Sequence, residues 1–170
     1  MLTFPGICGN LYSEIKRKDS KTMKTTDIKK FAPTETKNAG DAKEWAYCSY
    51  RGIERTKHDS KPYNVASDLE INEEKISIKA SKFSLMSGKL CNGLTSFDEI
   101  WTLYETNTHS NKVVYITEDF IAYEMTITEF KTFVYSFCKT EKESEKNGGA
   151  IKIRCKTESK KMIEWFQAKA

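Results

Sequence analysis

The feature that most constrains the fold is a pair of alternating runs, Tyr63 to Ile71 and Lys75 to Ala80, placed just after the breaker Lys61-Pro62. Apolar and polar residues exchange places along both runs, which is the period of a strand and not of a helix. Two such runs so close together predict a β-hairpin. With Glu73 and Glu74 as a two-residue turn, Ile71 pairs with Ile76, Glu70 with Ser77, Leu69 with Ile78 and Asp68 with Lys79. This register gathers Leu69, Ile71, Ile76 and Ile78 on one face and Asp68, Glu70, Ser77 and Lys79 on the other. A loop one residue longer would set Ile71 against Lys75 and mix the two faces.

The rest of the chain supplies helices to cover such a sheet. Asp41 and Glu44 are spaced as a capping box ahead of a helix that ends near Tyr50 or Arg51, before Gly52. Ser96 with Glu99 opens a second helix carrying Phe97, Ile100, Trp101 and Tyr104 at helical spacing, and Thr126 with Glu129 opens a third carrying Ile127, Phe130, Phe133, Val134 and Phe137. Lys112 to Thr117, Phe120 to Met125 and Ala150 to Cys155 read as strands, and a last helix runs from about Glu158 to Ala168. The order α-β-β-(β)-α-β-β-α-β-α predicts an α/β (α+β) domain with a central mixed sheet flanked by helices. Residues 39–170 form that domain, behind a basic arm at 1–38 with a short helix after Thr26.

At 170 residues with 38% apolar content, the chain suits a single domain with a real core. No apolar run approaches the ~18 residues a membrane helix needs, and Met1 to Asn10 lacks the charged start of a secretory signal, so the expected location is the cytoplasm. Five scattered cysteines without a C-x-x-C pair signal buried thiols rather than disulfides or a zinc knuckle. Charge is uneven: residues 1 to 62 hold 13 Lys and Arg against 8 Asp and Glu, while the remainder holds 15 against 16. A basic first third suits a polyanionic partner as well as it suits an ordinary solvated segment.

Two carboxylates two residues apart on a strand, with a lysine across from them, offer a site for a hard divalent cation. Mg²⁺ takes oxygen ligands and is held by one or two carboxylates plus water and substrate phosphate. Such an ion neutralises charge developing on phosphate, and a nearby ammonium orients the attacking water. Asp68, Glu70 and Lys79 are the candidates for those parts. The plainer alternative is that this face is the solvated side of a sheet.

The segment Ser67-Asp68-Leu69-Glu70-Ile71, followed by Lys75-Ile76-Ser77-Ile78-Lys79-Ala80-Ser81, resembles the core of the PD-(D/E)xK nucleases, the superfamily of many type II restriction endonucleases. That resemblance covers residues 40 to 117 and implies an α-β-β-β-α-β core, here with a C-terminal β-α-β-α extension. It implies Asp68 as the first acid, Lys79 as the motif lysine, Glu44 as an acid from the preceding helix, and Mg²⁺ or Mn²⁺ as cofactor. It further implies double-stranded DNA as substrate and a homodimer that cuts both strands. The chain departs from the pattern at Ser77, which stands where the family has Asp or Glu, so that Glu70 or Glu44 must substitute.

Other residues carry weaker signals. Lys82 is placed to touch phosphate, and Lys152, Arg154 and Lys156 alternate along one strand as a basic stripe suited to phosphates or to guarding a sheet edge. His58 and His109 have no partner at triad spacing and read as surface residues. Asn147-Gly148-Gly149 reads as a turn. The leading expectation is therefore a Mg²⁺-dependent endonuclease; a DNA-binding protein that has lost catalysis, and an interaction module without a nucleic-acid role, stand beside it.

Overall fold

The computed structural model describes residues 23–35, 38–53, 69–86, 89–145 and 149–170. Asp68, His58 and Cys8 lie outside the described residues. In chain order the elements are β1 (Lys24–Asp27), a 3-10 turn (Lys29–Phe31), α1 (Ala39–Tyr50), β2 (Leu69–Ile71), β3 (Glu74–Ala80), β4 (Phe83–Ser84) and α2 (Phe97–Asn107). There follow β5 (Lys112–Ile116), β6 (Ile121–Thr126), α3 (Ile127–Phe137), β7 (Lys139–Lys142), β8 (Ile151–Cys155) and α4 (Lys160–Gln167).

The apolar runs of β5 and β6 form the centre of a five-stranded mixed sheet of order β1-β6-β5-β3-β2. Strand β3 lies parallel to β5, with Ser77 beside Val113 and Lys79 beside Tyr115; the other neighbours are antiparallel. Parallel neighbours need a crossover, and α2 provides it. A second sheet of three strands, β4-β8-β7, packs alongside. The expected mixed sheet flanked by helices is what the chain forms.

Strand alternation divides the core in two. Tyr115, Tyr123, Val113 and Met125 point to one face, where they meet Trp101, Phe130, Phe133 and Phe166 of α2, α3 and α4. Ile76, Ile78, Val114, Ile116 and Ala122 point to the other, against Ala46, Tyr47 and Cys48 of α1. Each fully buried large side chain contributes about 1.5–3 kcal/mol, so the aromatic face dominates stability. Helices α2 and α3 start where sequence predicts, each with a complete capping box, Ser96/Glu99 and Thr126/Glu129. Among the described residues no helix is long and apolar enough to cross a membrane. Cys48, Cys91, Cys138 and Cys155 are buried free thiols.

Four expectations are corrected. The hairpin turns at Asn72-Glu73, both left-handed (φ 48° and 68°), so Ile71 pairs with Glu74, Glu70 with Lys75 and Leu69 with Ile76. Asparagine tolerates that conformation and a two-residue hairpin of the I′ kind requires it, which outweighs the better apolar pairing of a turn at Glu73-Glu74. The slip is two residues, so among the described residues the faces keep their membership while the cross-strand partners change. The arm expected over 1–38 includes an edge strand, since β1 pairs Lys24 with Glu124 and Thr26 with Ala122. Helix α1 begins earlier than predicted: Asn38 is the cap, accepting the Asp41 N–H at 2.8 Å, so Glu44 stands inside the helix and outside any capping box. Lastly, the charged stretch after α3 contains β7, whose Lys/Glu composition hid a strand.

Candidate active site

Strand β3 carries the motif residues on a single face, and that face is not open to water. Ser77 is only 3% exposed, and Lys79 is half-buried with its ammonium 6.0 Å from the centre of the Tyr104 ring. The solvated-sheet alternative therefore does not describe these two residues. A lysine tolerates such a position by laying its stem on apolar surface and directing its head to an aromatic face or an anion.

Glu70 is exposed and shares this face, but the observed register sets it opposite Lys75, four residues down the ladder from Lys79. At about 3.4 Å per residue that is roughly 13 Å, too far for both groups to act on one cation. The expected Asp68/Glu70/Lys79 cluster is thus corrected: Glu70 leaves it, and Asp68 lies outside the described residues. Glu44 is half-buried on α1, which covers the opposite face of the sheet. It can approach Lys79 only around the end of β3.

That strand end is a polar junction. Lys43, 4% exposed, donates from Nζ to Ser81 Oγ at 3.0 Å, and Ser81 itself is 6% exposed. The Tyr115 hydroxyl, from the aromatic face, lies 3.4 Å from both the Ser81 carbonyl oxygen and Glu158 Oε2. Glu158 also accepts the Glu118 N–H at 3.0 Å. Burial is the main influence on the two charges: it lowers the pKa of Lys43 and raises that of Glu158. Ser81 is thus the point where α1 on one face and Tyr115 on the other meet, two residues past Lys79. Lys82, the next residue, is exposed.

A second polar network lies lower on the α1 face. Glu124, buried within β6, accepts from Tyr47 Oη at 3.1 Å and Lys112 Nζ at 3.2 Å, and pairs with Lys24 Nζ at 3.2 Å. Glu74 pairs with Arg51 at 3.1 Å and with Lys112 at 2.5 Å, and the Lys112 ammonium is the main cause of its lowered pKa. Sequence reasoning missed both networks. The signals were present: Glu124 is an acid inside an apolar strand, and Lys43 interrupts the buried stripe of a helix, each of which demands a partner.

The basic stripe on β8 is also corrected. β8 is the central strand of its sheet, not an edge. Glu141 pairs with Arg154 at 3.3 Å and Lys156 at 3.4 Å, and Glu143 pairs with Lys152, so acids of the neighbouring chain segment meet all three cations. His109 is exposed, as expected.

Among the described residues no three His, Cys, Asp or Glu side chains gather into a metal cluster. Of the carboxylates expected to hold a hard cation, Glu44 is half-buried on α1 and Asp68 lies outside the described residues. Comparison with protein-family models, with curated proteins and with solved structures gives no match.

Proposed function

We propose that the chain is a Mg²⁺-dependent endonuclease of the PD-(D/E)xK kind, hydrolysing phosphodiester bonds of double-stranded DNA in the manner of a type II restriction endonuclease. The observation that carries the reading is the half-buried Lys79 beside buried Ser77 on an inner strand of the sheet. The run from α1 through β2, β3, β4 and α2 to β5 has the element order that the resemblance implies.

In this reading Asp68 and Glu44 hold the ion, with Mn²⁺ as substitute. Bound there, Mg²⁺ would supply charge neutralisation at the scissile phosphate. Lys79 directs its ammonium at the attacking water and at charge growing on the phosphoryl oxygens. Exposed Lys82 contacts a neighbouring phosphate and fixes register without reading sequence. A homodimer would present one site to each strand.

A second reading, a DNA-binding protein without catalysis, is favoured by the departure of Glu70 from Lys79 and by a serine at position 77. Incubation of the purified chain with supercoiled plasmid separates the two. The nuclease reading expects cleavage with Mg²⁺, none with EDTA, and loss of at least a hundredfold in both Asp68→Ala and Lys79→Ala. Salt-sensitive DNA affinity without cutting would establish the second reading, and cutting that survives both substitutions would end the first.

A further inference from the structure

Two of the buried thiols meet. Strands β7 and β8 run antiparallel with Lys139 opposite Arg154, so one step further along the ladder Cys138 stands opposite Cys155. Directly opposed residues share a face and hold their Cα atoms about 4.5–5.5 Å apart, within the roughly 4.4–6.8 Å that a disulfide spans. Both side chains enter the same aromatic core, and the Cys138 thiol hydrogen-bonds to the Cys155 sulfur. Cys155 in turn donates from Sγ to the Ser81 carbonyl oxygen at 3.7 Å. The two sulfurs thus join the end of α3, where Cys138 is the cap, to the end of β3.

Packing alone asks less of these positions. A small apolar side chain fills a core site as well as a thiol does, and the property peculiar to a thiol is its redox chemistry. The hydrogen bond from Cys138 lowers the pKa of Cys155; the same bond, with burial, raises that of Cys138. Cys155 is therefore the sulfur that ionises first, and the thiolate is the reactive form. With Cys138 7% exposed and Cys155 2%, a bulky oxidant is kept out and one of peroxide size is admitted by small local openings. Cys48 belongs to the other core cluster, across the sheet, and Cys91 feels the charges of Glu143 and Lys152, further down the second sheet.

We propose that Cys138 and Cys155 are a redox pair that a peroxide joins into a disulfide across β7 and β8 and that small thiols reopen, with the Ser81 carbonyl released from Cys155 when the bond forms. The Cys155 thiolate attacks one peroxide oxygen; the S–O bond forms, the O–O bond breaks, and hydroxide leaves to become water by taking up a proton. Cys138 then attacks the sulfur of the Cys155 sulfenic acid, the S–S bond forms, and a second water departs. Two thiols have lost two electrons and two protons, and one peroxide has become two waters. A disulfide carries no S–H, so the Ser81 carbonyl keeps the Tyr115 hydroxyl as donor and loses Cys155. The pair stands independently of the nuclease reading.

The test exposes the reduced full-length chain to hydrogen peroxide in native buffer. Mass spectrometry should show the intact chain lighter by two hydrogens, a digest should place the link between Cys138 and Cys155, and dithiothreitol should restore the original mass. Cys138→Ser and Cys155→Ala should each abolish that link; the wild-type digest decides the matter if either fails to fold. In nuclear magnetic resonance spectra the Lys82 amide, which shares a peptide group with the Ser81 carbonyl, should shift on oxidation and return on reduction. A link that forms only after unfolding in urea, or that joins either sulfur to Cys8, Cys48 or Cys91 instead, overturns the redox pair. A Lys82 amide that stays in place in the linked protein overturns the release of Ser81.

Discussion

The two faces of the five-stranded sheet are built by different rules. On one, Tyr115, Tyr123 and Phe133 each stack against Phe166, with centroids 4.2 to 5.2 Å apart. On the other, α1 is held by hydrogen bonds and ion pairs to Ser81, Glu124 and Glu74. Ring packing is non-directional and stabilises heavily; polar contacts contribute less net stability but specify position. The difference teaches that one face of this domain is the foundation and the other a gauge that sets where a helix lies.

Breaking the foundation should cost most. Phe133→Ala removes a fully buried ring from the centre of the aromatic face, and urea denaturation should show a loss of about 3–5 kcal/mol. On the polar face, Glu124→Ala takes the acceptor from the Tyr47 O–H, whose oxygen still accepts from Arg51 at 2.9 Å; Lys112 and Lys24 can turn to water, so the same measurement should show about 2 kcal/mol. Equal losses at the two positions would erase the distinction between the faces.

The polar face should also respond to acid. Glu74 has a lowered native pKa because Lys112 donates to it, so the unfolded state binds its proton first as pH falls. Its stabilising contribution is complete above the ordinary carboxylate range and is lost as pH drops through the lowered native value. Hydrogen-exchange protection factors, corrected for the intrinsic pH dependence of amide exchange, should therefore fall at α1 before they fall at α3 as pH drops, and Glu74→Gln should flatten this dependence. Smaller again is the hairpin turn: Asn72→Ala places alanine in a left-handed conformation and should cost about 1 kcal/mol by thermal unfolding, with Asn72→Gly near neutral. The least effect is expected at Arg154→Ala, whose half-exposed pair with Glu141 is worth under about 1 kcal/mol.

Most of the foundation was legible in the sequence. Capping boxes at Ser96 and Thr126 and the apolar stripe of α3 are local signals, and the helices begin and pack as they dictate. Hairpin existence and face membership were equally readable, because alternation survives a slip of two. The register itself was not, since apolar pairing and turn conformation disagreed and the preference of Asn72 for positive φ prevailed. Strands β1 and β7 were hidden because edge strands of Lys, Thr and Glu look like loops. At the candidate site, Ser77 and Lys79 could be found from spacing, whereas Ser81, Tyr115 and Glu158 come together only through the tertiary fold.

The claim on which the rest depends is that carboxylates and the Lys79 ammonium converge at the end of β3 rather than on an open hairpin face. A crystal of the full chain soaked in Mn²⁺ and measured at the manganese edge tests it directly. An anomalous peak within coordination distance of the Asp68 and Glu44 carboxylates, with Lys79 Nζ beside it, is the predicted result. A peak on Glu70, or Glu44 turned to bulk solvent with no peak near β3, would contradict it.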